Sequence, residues 1–468
     1  MASVNHMEKI AAKVVELLKS NGHSAYFVGG CVRDMMMGRP SHDIDICTHA
    51  CPEEIIRIMK DAGYDYYDAG IQFGTVNVQA EGEMFEVTTY RTDGAYRDGR
   101  HPDEVQFVDN VDGDLARRDF TINAMAFDPT TNILRDPCKG LEDLRAGIIR
   151  AVGDANERFQ EDALRIMRAI RFAVKFGFTI EENTLQAMLD NKDLLCNISK
   201  ERITQEMEKT LTCGKPVRYV FDQCRDVLGV IFPELIPCFD FDQNSYYHSE
   251  DVYRHMLCVV DACKYNKFEV KLAALLHDVG KPDTYFVGED GYGHFHGHPE
   301  VSYQICSKSL KENLRLSTEQ YKLVTDLIRY HDNKIPVTKK EVLRFLNKHG
   351  ESFMEDFMYL KHADIDAHIH LEEPKAKLVR LEELRQEIAE ENSAFQLKDL
   401  AINGKDVCRL TGTKPDKHIG AILNRLLDDV IDEAVLNNKQ SLSRRTKEIW
   451  KEVKDEYPNV KIEISAER

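Results

Sequence analysis

The sequence predicts an α+β protein in which an N-terminal head with a small mixed sheet is followed by a mostly α-helical body. Three observations lead to this prediction. Strand-like segments are confined to about the first 150 residues, amphipathic helical runs dominate from Glu157 onward, and strand signals largely stop after Val152. The length of 468 residues also exceeds what one hydrophobic core supports, so we expect more than one domain.

Within the head, one helix and then a series of short strands are expected. Residues 8–19 place Ile10, Val14 and Leu18 on one helical face. Strands are predicted where apolar residues run together or alternate with polar ones, at 25–28, 43–46, 75–78 and 85–89. Because helical stretches separate these strands, residues 1–150 are predicted to form one unit.

The remaining two-thirds of the chain are predicted to be helical. Amphipathic runs lie near 157–175, 199–212, 251–265, 301–313, 318–330, 376–392 and 418–436. Prolines at 233, 237 and 336 are expected to end helices. We therefore expect a helical neck over 151–235, a third unit over 236–345 and a helical C-terminal region over 346–468.

Composition narrows the class of protein. No apolar run approaches the roughly 18 residues that cross a bilayer, and residues 1–10 lack the apolar stretch of a signal peptide, so we expect a cytoplasmic protein. The 12 Cys are scattered without a CxxC pair and are expected to be reduced thiols. The net charge of −18 argues against holding nucleic acid through overall charge, although it allows a local basic groove.

A glycine pair and two aspartates form the first candidate site. Gly29 and Gly30 stand between a predicted strand and a helix, where backbone N–H groups can hold a phosphate, and Arg33 adds a charged donor; a simple turn is the alternative. Asp43 and Asp45, two residues apart on a strand, share one face, where a divalent cation such as Mg²⁺ relieves their repulsion. The alternative, a solvated edge strand, is disfavoured because the intervening isoleucines require burial.

The second candidate site is a polar stripe with a three-residue spacing in the run 157–175. It consists of Asp162, Arg165, Arg168 and Arg171. Guanidinium and carboxylate groups together can present donors and an acceptor to the edge of a base, and so separate cytosine and adenine from guanine and uracil. A surface helix with salt bridges three residues apart is the alternative interpretation.

Five motifs in order carry a resemblance to a known family. GGxxRD, DxD, RRDxTINA, DPxxGLEDL and EDxLRxxRAxRF, spread over about residues 25–210, resemble the class II tRNA nucleotidyltransferases (CCA-adding enzymes) and the related bacterial poly(A) polymerases. The resemblance implies a polymerase-β-like nucleotidyltransferase head. It further implies Mg²⁺-dependent addition of CMP, CMP and AMP to the 3′ end of tRNA from CTP and ATP, with release of pyrophosphate.

The resemblance also assigns roles to single residues. It implies that Asp43 and Asp45 bind Mg²⁺, and that the nucleotide is contacted by Gly30, Arg33, Arg118, Asp162, Arg165, Arg168 and Arg171. The stretch 91–101 corresponds to the flexible loop that complete CCA addition requires, which disfavours a CC-only enzyme. The EDALR run favours CCA addition over the alternative, template-independent poly(A) addition.

Histidines and His-Asp pairs between residues 255 and 332 form the third candidate site. Imidazole and carboxylate groups together suit a transition metal such as Mn, Ni, Co or Fe. This stretch resembles the HD phosphohydrolase superfamily, which places His255, His277 and Asp278 on the family's first ligands. Asp332 is the candidate fourth ligand, and His298 and His331 are the candidate extra ligands of a binuclear site. A degenerate structural domain is the alternative.

Three functions from different classes are compatible with these patterns. The first is a tRNA nucleotidyltransferase that also carries an HD domain. The second is a metal-dependent phosphohydrolase whose head only binds RNA, and the third is a non-catalytic RNA-binding protein, against which the aspartate pair argues. A basic cluster near Trp450, made of Arg444, Arg445, Lys447 and Lys451, is predicted either to touch phosphate or to be a solvated helix face.

Overall fold

The structure is a computed structural model that describes residues 2–41, 43–93, 105–245, 250–368, 372–415 and 417–453. Within these residues the α-helices are α1 Ala2–Ser20, α2 Gly30–Met36, α3 Pro52–Asp61, α4 Val111–Ala116, α5 Gly140–Ala146, α6 Ala155–Glu161, α7 Leu164–Phe176, α8 Glu182–Asp190, α9 Lys200–Leu211, α10 Arg218–Gln223, α11 Arg225–Ile231, α12 Val252–Ala262, α13 Phe268–Leu276, α14 Lys281–Thr284, α15 His298–Asn313, α16 Thr318–Tyr330, α17 Lys339–His349, α18 Glu351–Ala367, α19 Glu372–Glu390, α20 Gly404–Thr411, α21 Lys417–Ile431 and α22 Lys439–Val453.

The strands are concentrated in the head. They are β1 Ala25–Val28, β2 Asp45–Thr48, β3 Asp65–Gly70, β4 Thr75–Ala80, β5 Glu83–Thr89, β6 Arg91–Asp93, β7 Val105–Phe107, β8 Ala126–Asp128, β9 Ile133–Arg135, β10 Ile148–Ile149, β11 Thr179–Ile180, β12 Phe286–Val287 and β13 Gly293–His294. Seven of them form one sheet in the order β3-β4-β5-β2-β1-β8-β9. The sheet is mixed, because β2 and β5 are parallel while the other pairs are antiparallel. The predicted α+β class is therefore confirmed.

Helices α1 and α3 cover one face of this sheet. The stripe of Ile10, Val14 and Leu18 on α1 is fully buried, as the spacing predicted. On β4 and β5 the buried residues alternate with exposed or half-buried ones, so the opposite face stays accessible. One covered face and one open face leave the strand ends of the sheet available for a site.

The pairing of β1 with β2 brings the predicted motifs together. Val28, the last residue of β1, pairs with Asp45, the first residue of β2. The glycine turn that follows Val28 therefore lies beside the aspartate pair. The strand predicted over 43–46 starts two residues later than expected, so Asp43 stands in the loop just before β2.

The helical body follows the predicted pattern with one difference. The run 157–175 is broken between α6 and α7, because Asp162 has an extended backbone with φ −143° and ψ 100°. One oxygen of its carboxylate accepts a hydrogen bond from the Leu164 N–H at 3.0 Å. Asp162 thus lies before α7 rather than on the same helix as the three arginines, and its side chain competes with helix continuation in the way aspartates do at helix starts.

A buried contact at the start of α5 yields a stability test. A Cβ atom at Gly140 would lie 2.1 Å from the backbone oxygen of Thr121, whereas one at Gly420 in α21 meets no atom within 4 Å. We expect Gly140→Ala to lower the free energy of unfolding by about 2 kcal/mol or more through overpacking. Gly420→Ala should be neutral or raise it by up to about 1 kcal/mol. Urea unfolding followed by circular dichroism checks both; equal effects of the two substitutions would contradict this packing.

Candidate nucleotide and metal sites

Three carboxylates gather at the start of β2. Asp43 precedes the strand and Asp45 begins it, and the parallel register of β2 and β5 places Glu86 beside Asp45. Burial raises the pKa of Asp45 to about 6, with repulsion from Asp43 and Glu86 adding to the rise and Arg118 opposing it. A carboxylate that is destabilised by its neighbours in this way gains from a bound cation. These residues therefore fit a divalent metal that prefers oxygen ligands.

Glu86 is a candidate ligand that the sequence motifs did not indicate. It lies between buried Phe85 and Val87 on β5, so its side chain points to the open face of the sheet. The alternation of residues 85–87 signals that face, but only the strand order places it next to β2.

The glycine turn allows an arginine to approach the aspartates. Gly29 has a positive φ of 80°, and a Cβ there would lie 2.9 Å from Nη1 of Arg118 and 3.7 Å from a carboxylate oxygen of Asp45. A side chain at this position would thus be strained and would also push Arg118 away. Arg118 is further held by Asp114, whose carboxylate accepts from its Nη2 at 3.1 Å. Gly30 then opens α2.

Arg33 joins the head to α7. Its Nη1 donates to the Asn123 side-chain oxygen at 2.5 Å, and its guanidinium lies 4.7 Å from the centre of the Phe176 ring. The residue is 5% exposed. The structure therefore places Arg33 close behind the glycine turn, in a packed position between head and neck.

The three arginines on α7 are each tied to a carboxylate. Arg165 pairs with Glu161 at 2.6 Å and Arg168 with Asp119 at 2.5 Å, and the Nε of Arg171 donates to Glu206 at 2.5 Å. The alternative of salt bridges three residues apart within the stripe is not what the structure shows, because these partners lie four residues away or on other elements. The arginines therefore bind α7 to the head and to α9.

Asp162 also has a partner that the sequence did not indicate. The Arg202 guanidinium on α9 donates to both Asp162 oxygens, at 2.7 and 3.3 Å. Asp162 lies in the break between α6 and α7 and Arg165 in the first turn of α7, and each is held in place by an ion pair. A base that binds to these two residues would have to compete with those pairs.

The carboxylate of Asp119 is the buried partner that fixes α7. Burial by itself would raise its pKa, but the charge of Arg168 and hydrogen bonds from Asn123 and Arg168 hold the pKa at about 2. The ion pair is therefore favourable in the folded state at neutral pH.

A second group of ligands lies between α12 and α18. The Nε2 atom of His255 is 3.3 Å from a carboxylate oxygen of Asp364, and that of His277 is 3.1 Å from Asp278. Burial lowers the pKa of His255 to about 4, which outweighs the nearby aspartates, so its imidazole is neutral. A neutral imidazole is the form that binds a metal.

Asp278 lies between two sets of histidines. Its Oδ2 faces His277 at 3.1 Å and His255 at 3.6 Å, whereas its Oδ1 faces His298 at 3.2 Å and His331 at 3.4 Å. Lys281 Nζ lies 2.8 Å from Oδ2. One carboxylate between two histidine sets is suited to bridging two metal ions.

The imidazole rings are oriented by the backbone. The Nδ1 atoms of His277, His298 and His331 lie 2.7 to 2.9 Å from the carbonyl oxygens three residues earlier in the chain. Donation from Nδ1 leaves the Nε2 lone pair facing Asp278. These backbone contacts therefore hold the three imidazole rings in an orientation suited to binding a metal.

The predicted fourth ligand is the main correction in this cluster. The close ligand groups formed by the histidines do not include Asp332, whose side chain is 63% exposed and lies 3.9 Å from Lys361. Asp364 takes that place, and His368 joins it, since His255, Asp364 and His368 have ligand atoms within 4.8 Å of one another. The sequence suggests Asp332 because it follows His331 directly in the chain. Asp364 is recognised as a candidate ligand only once α18 is seen to pack against α12.

Two other predictions are limited by the described residues. Of the loop over 91–101, only residues 91–93 are described, as strand β6, and 94–101 lie outside the described residues. In the basic cluster, Arg445 pairs with Asp429 at 2.7 Å, so part of that cluster is a salt-bridged helix face.

All 12 cysteines are free thiols.

Comparison with known proteins assigns these units to families. Residues 25–150 match the "Poly A polymerase head domain" family, 177–238 the family described as "Probable RNA and SrmB- binding site of polymerase A", and 245–433 the "HD domain" family. These matches show a poly(A) polymerase-type head, its associated RNA-binding segment and an HD domain in one chain. Its head carries the aspartate pair, and its HD domain carries the histidine cluster.

The chain is also similar to curated proteins that are named CCA-adding enzymes. A CCA-adding enzyme of Lactobacillus delbrueckii subsp. bulgaricus is 50% identical over 227 residues, which are 48% of this chain and 55% of the relative. One from Geobacillus stearothermophilus is 49% identical over 201 residues, 43% of this chain and 48% of the relative. The chain thus spans about half the length of the curated relatives it matches.

This chain resembles a solved structure over nearly the full length of both chains. The Bacillus stearothermophilus CCA-adding enzyme in complex with CTP has a TM-score of 0.70 and 29% identity, covering 96% of this chain and 98% of that chain. The Thermotoga maritima CCA-adding enzyme complexed with tRNA, at 21% identity and a TM-score of 0.59, shares the fold. Among the described residues, none of the helices is apolar and long enough to cross a membrane.

The Asp119–Arg168 pair gives a stability prediction for the head. Asp119→Asn should lower the free energy of unfolding by roughly 2–3 kcal/mol, because Arg168 loses its partner. Glu387→Gln, which weakens the exposed contact to Arg380, should leave the free energy of unfolding essentially unchanged. Since the pKa of Asp119 is lowered, its contribution is full above about pH 4 and disappears as the pH falls toward about 2. Urea titrations across pH measure this; equal stability of the two variants would contradict it.

The choice between Asp364 and Asp332 gives a metal-binding prediction. Asp364→Asn should remove about one metal ion per chain from Mn²⁺-loaded protein, because it deletes a ligand. Asp332→Asn, the matched control, should retain the wild-type content. Elemental analysis after gel filtration measures both, and loss in the control with retention in Asp364→Asn would restore the sequence assignment.

Proposed function

We propose that this chain is a CCA-adding tRNA nucleotidyltransferase that transfers CMP, CMP and AMP from CTP and ATP to the 3′ end of tRNA. The observation that carries the proposal is the meeting of Asp43, Asp45 and Arg118 beside the glycine turn. It is supported by relatives that are named CCA-adding enzymes and by a neighbour solved with CTP. tRNA, CTP and ATP are thus the proposed partners, and the cytoplasm is the proposed place of action.

The carboxylates at the start of β2 fit Mg²⁺. Asp43 and Asp45 would hold it, with Glu86 close by, because three gathered carboxylates supply the oxygen ligands that this cation prefers. When bound, the cation lowers the pKa of the 3′-hydroxyl and stabilises charge on the α-phosphate. The protein's own residues then hold the triphosphate through the amides of the glycine turn and the Arg33 and Arg118 guanidinium groups.

Asp162 and Arg165 are suited to select the base. Cytosine and adenine both present an amino group, which donates to a carboxylate, next to a ring nitrogen, which accepts from a guanidinium. Guanine and uracil present a carbonyl oxygen there instead, which a carboxylate repels. We propose that the base displaces the Arg202 contact of Asp162 and the Glu161 contact of Arg165.

Poly(A) addition remains the alternative for the same head. Both reactions use the same carboxylates and triphosphate contacts, so the geometry of the head is common to them. The names of the relatives favour CCA addition.

The aspartate pair can be tested with defined tRNA ends. Incubation with Mg²⁺, labelled CTP or ATP, and tRNA ending at the discriminator base, at CC or at CCA should show growth that stops at CCA. Asp43→Ala and Asp45→Ala should each reduce incorporation of both nucleotides by about a thousandfold or more, because removal of a metal ligand removes electrostatic stabilisation. Asp61→Ala, on the exposed end of α3, is the control. Repeated AMP addition without CMP would establish poly(A) addition instead.

A second activity is proposed for the HD domain. The placement of Asp278 between two histidine sets favours a metal-dependent phosphohydrolase that uses a transition metal such as Mn, Ni, Co or Fe. A purely structural domain has no need for this concentration of ligands around one carboxylate.

The two activities should separate by mutation. His277→Ala should abolish metal-dependent hydrolysis of p-nitrophenyl phosphate while CMP incorporation stays within about twofold of wild type, because the two sites lie in different units. Asp43→Ala should have the opposite effect. Loss of hydrolysis in Asp43→Ala together with unchanged hydrolysis in His277→Ala would overturn the assignment.

A further inference from the structure

A second cavity opens directly beside the histidine cluster. The cavity at the cluster has a volume of about 300 Å³ and the neighbouring one about 540 Å³, and both are lined by Asp332, Asp364 and His368. We name the larger one the lysine cavity, since its wall includes Lys334, Lys361 and Lys377. A molecule held at the cluster through one group can therefore extend into the lysine cavity.

Two of the three lysines can meet a ligand. Lys361 is 10% exposed and donates to the backbone oxygen of His331 at 2.6 Å, so it serves to hold that histidine. Lys334 is exposed on the loop that follows His331. Lys377 pairs with Glu373, but this surface pair is largely exposed and four residues apart, and such pairs are weak.

The carboxylates in the wall are already engaged. Glu341 accepts from the backbone N–H groups of Val337 and Thr338, which hold its pKa below the ordinary value. Asp364 is a proposed metal ligand, and Asp332 faces the Lys361 ammonium at 3.9 Å. Lys334 lies near the Glu341 carboxylate and Lys377 pairs with Glu373, so an anionic ligand group would compete with these two contacts for the lysine ammonium groups.

The cavity also has an apolar side. Ile335, Val337 and Pro374 line it, and Val337 is 37% exposed. An uncharged ring can cover such a surface while an anionic group contacts the lysines. A substrate that has only one phosphate, bound at the histidine cluster, would leave both the apolar surface and the lysines of this cavity without a contact.

Resting on the phosphohydrolase activity proposed above, we propose that the HD site takes a ribose phosphate ester that carries a second phosphate. The first phosphate lies at the histidine cluster, the base lies against Val337 and its apolar neighbours, and the second phosphate lies between Lys334 and Lys377. A nucleoside bisphosphate and the phosphorylated end of an oligoribonucleotide share this chemistry.

The reaction consumes one water molecule. The water oxygen forms a bond to phosphorus, the bond between phosphorus and the ribose oxygen breaks, and the ribose oxygen leaves with a proton that derives from the water. No oxidant, reductant or further co-reactant is needed.

The test compares substrates that have one phosphate with substrates that have two. The full chain, loaded with Mn²⁺, is given p-nitrophenyl phosphate, adenosine 3′-monophosphate, adenosine 3′,5′-bisphosphate and a short oligoribonucleotide with a 3′-phosphate. We compare the wild type with the double variant Lys334→Ala/Lys377→Ala, the charge-retaining Lys334→Arg/Lys377→Arg, and Lys375→Ala, an exposed lysine of the same helix outside the cavity.

The expected result is a change in substrate preference. In the wild type, kcat/KM for the bisphosphate should exceed that for the monophosphate by about tenfold or more, mainly through KM. The double alanine variant should lose this ratio, whereas the double arginine and Lys375→Ala variants should keep it. A preference for the oligoribonucleotide over the bisphosphate identifies an RNA end as the source of the second phosphate, and the reverse identifies a free nucleotide.

Other outcomes separate the two levels of the proposal. Hydrolysis of all four substrates, abolished by His277→Ala but with a ratio near one or a ratio unaffected by the lysine substitutions, would overturn the lysine cavity and leave the phosphohydrolase intact. Absence of hydrolysis of every substrate would overturn both.

Discussion

The antiparallel pairing of Val28 with Asp45 is the constraint on which the head depends. It sets the end of one strand beside the start of the next, so that the glycine turn, the aspartate pair and Arg118 meet. This pairing forces carboxylates together, and burial and repulsion raise the pKa of Asp45 to about 6. The arrangement is unfavourable without a cation and becomes favourable when one binds, which couples the fold to its proposed chemistry.

The same logic governs the HD domain with different ligands. One buried carboxylate, Asp278, is surrounded by histidines whose rings are oriented by backbone carbonyls. The two centres therefore differ in donor type, oxygen in the head and mixed nitrogen and oxygen in the HD domain, and are suited to different metals. Some of the acidic residues of the chain are thus explained as candidate metal ligands, and the arginines on α7 are committed to ion pairs.

Short-range patterns were enough to predict the class of fold and the main motifs. The glycine turn, the aspartate pair and the first HD ligands lie close together in the chain, and each motif carries its own spacing. What the sequence could not show depends on distant partners. Glu86 needs the order of the strands, Arg202 the packing of α9 on α7, and Asp364 the packing of α18 on α12. The three-residue spacing predicts Asp162 on the same helix as the arginines. In the structure its carboxylate accepts a hydrogen bond from the Leu164 N–H, and the helix is interrupted there.

The most direct test of the central claim is a crystal structure of the chain with Mg²⁺ and CTP. The account predicts Mg²⁺ within about 2.0–2.1 Å of carboxylate oxygens of Asp43 and Asp45. It also predicts the cytosine edge on Asp162 and Arg165, with the Asp162–Arg202 contact broken. A nucleotide bound away from the glycine turn, or a metal that does not touch these aspartates, would contradict it.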